Sequence, residues 1–132
     1  MTAAPGAEGF VPGRRLIDAY GAGGFRFAGM SHVGSILATP RGLRAFAPTC
    51  AAEITIGALA PLFDELAEDP RAIEILVIGS GATMAPLSAP VKARLKQAGL
   101  RSEIMATGPA CRVYNVLLGE NRRVAAALVA AP

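Results

Sequence analysis

The sequence predicts an α/β fold: a layered single domain in which an N-terminal β-meander unit is followed by β-α-β-α-β on a mixed central sheet. Three observations point there. The first half alternates apolar and polar side chains over short runs separated by Gly- and Pro-rich turns. The second half alternates helically spaced apolar residues with runs of branched ones. The length, 132 residues, suits one domain with a core of its own.

Residues 1–13, rich in Ala, Pro and Gly, read as a flexible N-terminal tail, leaving 14–132 as the domain. Arg14–Tyr20 is a first strand, closed by the turn Gly21-Ala22-Gly23-Gly24. Phe25–Ala28 alternates as a second. Val33–Thr39 is a third extended run, interrupted by Gly34. Pro40-Arg41-Gly42 turns the chain into Leu43–Ala47. Leu59, Leu62, Phe63 and Leu66 then sit at helical spacing, and Pro61 requires that helix to begin near Gly57. Asp69-Pro70 ends it. Glu74–Gly79 is an almost unbroken apolar run, the pattern of a strand buried on both faces. Ser88 caps a helix through Gln97, and Gly99 stops it. Ser102–Ala106 is the next strand, parallel to the previous one across a right-handed connection. Thr107 or Gly108 caps a helix that carries Pro109 in its first turn and runs to about Leu118. Gly119-Glu120-Asn121 turns into the closing strand, Arg122–Val129.

Composition excludes several classes. The apolar fraction is 52%, but 27 residues are alanine, so the larger apolar side chains are ordinary in number. Two cysteines make no disulfide framework, and one histidine heads no multi-histidine metal site. No cofactor motif is present. No apolar run is long enough to span a bilayer. Aromatics are 5% and Trp is absent, a poor supply for stacking bases. The net charge is +3, unevenly spread. Residues 50–79 carry six carboxylates against Arg71, whereas residues 80–132 carry seven Lys and Arg against Glu103 and Glu120. With no dense basic stripe, this bipolar pattern suits a protein partner better than nucleic acid. The start of the chain carries no secretory or transit pattern, so the expected compartment is the reducing cytoplasm. Short edge strands are compatible with a dimer.

Two segments could carry chemistry. Gly79-Ser80-Gly81 follows the buried strand, and amides in such a loop can cradle an anion. It lacks the further glycines and Lys-Ser/Thr pair of a nucleotide-phosphate loop. Cys111-Arg112 is expected in the first turn of the last helix, where dipole and guanidinium would favour a thiolate or bind an anion. The alternative is a buried thiol with Arg112 paired to a carboxylate such as Glu120. Tyr114 is expected half-buried with its hydroxyl bonded, and Asn115, a poor mid-helix residue, is expected to bond a neighbouring loop. His32 reads as a surface or hydrogen-bonded residue. Asp64, Glu65, Glu68 and Asp69 read as a solvated helix face.

Five segments in order resemble a known family: Tyr20-Gly-Ala-Gly-Gly-Phe-Arg-Phe27, Gly34-Ser-Ile-Leu37, Leu76-Val-Ile-Gly-Ser-Gly81, Ala110-Cys-Arg-Val-Tyr-Asn-Val-Leu117 and Arg122-Arg-Val-Ala-Ala-Ala-Leu128. They are similar to the small α/β family that includes mitochondrial respiratory complex I assembly factor 3, the adipogenesis-associated domain protein and many bacterial proteins of unknown function. Ser80, where many members have Thr, and the order of Gly119-Glu120 depart mildly from it. The resemblance implies a mixed sheet with a smaller β unit. It also implies a bacterial, non-catalytic interaction protein that assists complex I assembly through its subunits or assembly proteins. The competing expectation is a small enzyme or anion-binding domain. Its site would join Gly79, Ser80 and Gly81 to Cys111, Arg112, Tyr114 and Asn115 at one carboxyl edge of the sheet.

Overall fold

The structure, a computed structural model, describes residues 10–132. Its strands are β1 (Val11–Pro12), β2 (Ala19–Gly21), β3 (Gly24–Phe27), β4 (Met30–Val33), β5 (Ser35–Thr39), β6 (Gly42–Phe46), β7 (Ile75–Gly79), β8 (Arg101–Met105) and β9 (Val124–Leu128). The helices are α1 (Ala60–Glu68), α2 (Ala89–Gln97) and α3 (Thr107–Gly119). Six strands form a mixed sheet in the order β1-β6-β5-β9-β7-β8, and β2-β3-β4 form a separate antiparallel sheet. β7 pairs parallel with both β8 and β9. β5 joins β9 antiparallel, which makes the sheet mixed.

The central strands β7 and β9 are buried on both faces because they carry no polar side chain at any position. Leu76, Ile78, Ala125 and Ala127 face α1 and α2, where they meet Leu62, Leu66, Val91 and Leu95. The alternate residues Ile75, Val77, Ala126 and Leu128 face the other way, onto Cys111 and Tyr114 of α3 and onto Phe25 and Phe27 of the small sheet. Three layers result. The alanines of β9 occupy the centre of the sheet, where small side chains let α3 approach closely.

Several expectations are corrected. The meander does not stay together: Gly34, at φ 98°, breaks the run 33–39, so Met30–Val33 completes the small sheet while β5 joins the large one. Arg14–Asp18 is not a strand. The backbone of Arg15 and Ile17 bonds to α3 instead, as described below, and the Asp18 N–H donates to the Arg26 carbonyl of β3. Ala22 and Gly23, both at positive φ, make the two-residue turn between β2 and β3. Ser88 stands at the N-cap of α2 but its side chain makes no capping bond. Ala106, not Thr107 or Gly108, precedes α3. Glu65 is buried at 3% exposure, unlike its neighbours on the acidic face. Of the predicted tail, residues 1–9 lie outside the described residues. Val11–Pro12 pair with β6.

Candidate functional site

The Gly79–Gly81 loop and the start of α3 meet at the carboxyl ends of β7 and β8. The junction is closed by its own hydrogen bonds. Thr107 is fully buried, and its hydroxyl donates to the Val129 carbonyl at 2.6 Å while accepting the Gly81 N–H at 2.9 Å. The Thr107 N–H donates back to the Gly81 carbonyl at 2.8 Å, and the Ser80 N–H donates to Met105 at 2.9 Å. Ser80 Oγ donates to the Thr83 carbonyl at 2.7 Å and accepts the Ala85 N–H at 3.0 Å. Gly79 is needed for close approach: a Cβ there would lie 2.9 Å from both Thr107 Cα and Oγ1. The amides expected to cradle an anion are therefore spent on the fold. This use of Thr107 also explains why it does not cap the helix: its one hydroxyl serves β9 and the loop.

One turn further along α3 the surroundings change. Cys111 lies at the start of the second turn rather than in the first, beyond the free amides of the helix end. Its thiol is 3% exposed, and burial pushes its pKa up to about 11 despite the opposing charge of Arg112. It is a neutral buried thiol at physiological pH, which corrects the activated-thiolate expectation. Tyr114 is fully rather than half buried. Its hydroxyl donates to the Arg15 carbonyl at 2.9 Å, and burial raises it to about 12. Asn115 accepts the Ile17 N–H and donates to the Ile17 carbonyl, both at 2.8 Å. This side-chain pair takes the place of a strand ladder and accounts for the irregular path of residues 14–18.

Arg112 is exposed, and no carboxylate pairs with it among the described residues, Glu120 included. It borders a cleft of about 530 Å³ that is also lined by Asp18, Tyr20, Cys111, Asn115 and Pro132. Tyr20, 45% exposed, lies across α3 so closely that a Cβ on Gly108 would overlap its hydroxyl. The structure thus divides the expected site. Gly79, Ser80 and Gly81 gather on Thr107, whereas Cys111, Arg112 and Asn115 gather on residues 17–21. Thr107 and Tyr20 escaped sequence reasoning. A threonine at a helix start reads as a cap, and Tyr20 read as part of a strand. His32 Nε2 lies 3.1 Å from the Ser35 carbonyl. No group of three or more His, Cys, Asp and Glu is placed to hold a metal among the described residues.

Comparison with known proteins gives three kinds of match. The model of the family described as "protein of unknown function (DUF498/DUF598)" matches residues 17–129. An uncharacterized protein of Rhodobacter capsulatus is 38% identical over 97% of this chain and 91% of its own. The NADH dehydrogenase [ubiquinone] 1 alpha subcomplex assembly factor 3 of Xenopus tropicalis is 33% identical over 86% of this chain and 60% of its own length. A crystal structure described as an outer membrane protein from Bartonella henselae is 41% identical. It superposes with a TM-score of 0.82 over 92% of this chain and 98% of that one.

Proposed function

The chain belongs to the DUF498/DUF598 family of proteins of unknown function, and from that membership we propose that it is a non-catalytic accessory protein in assembly of the NADH dehydrogenase complex. The observation that carries this reading is the 33% identity to the Xenopus assembly factor across 86% of the chain. The geometry supports it. Cys111 and Tyr114, the groups best suited to chemistry, are buried and neutral, while Arg112 and Tyr20 stand exposed at one cleft. An exposed aromatic beside an unpaired arginine is the composition of a protein-binding anchor. The reading places the chain in the cytoplasm. No helix among the described residues is long and apolar enough to cross a membrane. The test is deletion of the gene, followed by native-gel staining of membranes for NADH dehydrogenase activity. The expected result is less assembled complex, restored by the intact gene; an unchanged amount overturns the reading.

The second reading is a small-anion site, now reduced to the Arg112 cleft. It is favoured by the unpaired guanidinium beside about 530 Å³ of open space. Saturable NMR shifts of the Arg112 and Asn115 side chains on titration with phosphate or a dicarboxylate would support it.

A further inference from the structure

We propose that β8 is a self-association edge, along which two copies of this chain pair antiparallel about a dyad at Ser102 and join their six-stranded sheets. The two ends of the large sheet differ. At one end β1 has two residues, one of them Pro12, which has no N–H to offer a further strand. At the other end β8 runs five residues without proline, and no further strand pairs with it among the described residues. Arg101, Ser102 and Glu103 are exposed, and Ile104 and Met105 are half-buried. A regular open edge is a template for another strand unless its side chains oppose pairing.

Here the charged side chains favour one pairing. Arg101, Glu103 and Met105 point to the α3 side of the sheet; Ser102 and Ile104 point to the α1–α2 side. A dyad perpendicular to the sheet keeps these faces together, so only registers centred on a residue are allowed. Centring on Glu103 sets that carboxylate against its own copy. Centring on Arg101 does the same to the guanidinium. Centring on Ser102 places Arg101 of each copy opposite Glu103 of the other, twice. Within one chain Arg101 and Glu103 already lie 3.2 Å apart, but with side chains 72% and 45% exposed they are free to change partners. An edge protected by charge would carry one sign; this one carries a self-complementary pair.

The proposal stands on β8 alone and is independent of the assembly reading. Sedimentation velocity of the full chain over a wide concentration range tests it. The expected species is a dimer. Arg101→Glu and Glu103→Arg each set like charges opposite one another at two places and weaken the dimer about tenfold or more. The double variant R101E/E103R reverses both signs and restores it. Both sites are exposed, so the far-ultraviolet circular-dichroism spectra of all variants should match the parent. A monomer at every concentration overturns the proposal, as does a dimer indifferent to the single reversals or a double variant no better than the singles.

Discussion

At Thr107, α3 is locked into the body of the sheet; at Arg112, little more than one turn later, the same helix faces solvent. The first region has the Ser80 and Gly81 amides and the Gly79 and Gly81 carbonyls occupied within the chain, and a glycine whose missing side chain lets helix and strand touch. The second has an unpaired cation, a half-exposed tyrosine and an open cleft. A glycine-bounded loop at the end of a parallel strand looks like a ligand cradle in sequence. In this fold it is a joint, because a neighbouring hydroxyl consumes its donors. The free surface belongs to the segment that carries less obvious motifs.

Substitutions should separate the two regions by size of effect. Thr107→Val keeps the shape but leaves the Gly81 N–H and the Val129 carbonyl buried without partners. The expected loss is about 3 kcal/mol, read by chemical denaturation. A loss under about 1 kcal/mol would mean that the joint is not what holds α3. Asn115→Ala removes both bonds to Ile17, at a site closer to solvent. It should cost about 1–2 kcal/mol and increase amide exchange at Ile17.

The pH dependence follows from Cys111 and Tyr114, whose protons are held more tightly in the folded state, up to about 11 and about 12. The unfolded chain releases these protons first, so it binds fewer protons over that interval, and stability falls as pH rises. Denaturation midpoints should decline from about pH 8.5–10, where free thiols and phenols ionise, up to about pH 12. Cys111→Ala should remove the lower part of that decline. The smallest effect on stability is expected for Arg112→Ala, within about 0.5 kcal/mol of the parent. Its consequence should appear instead in partner recovery, and a large loss of stability would place Arg112 among the joint residues.

Elements with strong periodicity were legible in the sequence. The apolar run of β7 and the Leu59-Leu62-Phe63-Leu66 spacing of α1 each state their burial directly. The helix bounds were read to within a few residues, because Pro61, Gly99 and Pro109 act through local sterics. What escaped depends on long-range partners. Residues 14–18 read as part of a strand, yet the backbone of Arg15 and Ile17 bonds to side chains of α3 nearly a hundred residues away. Met30–Val33 is too short and too polar to declare itself, and it is a strand only because Phe25 and Arg26 lie opposite. The candidate site was half legible. Arg112 and Asn115 were identifiable from residue type, but only the packing of β9 against α3 shows that Thr107 takes the loop's donors.

We propose that the α3 surface at Arg112 meets a protein of the NADH dehydrogenase assembly line. A photo-cross-linking amino acid placed at position 112, compared with one at the exposed Met84 in the loop after β7, tests it most directly. In cells carrying the gene, the adducts expected at 112 contain an NADH dehydrogenase subunit or assembly protein, and none of these is expected at 84. Adducts equal at the two positions, or none at 112 in cells that assemble the complex normally, would contradict it.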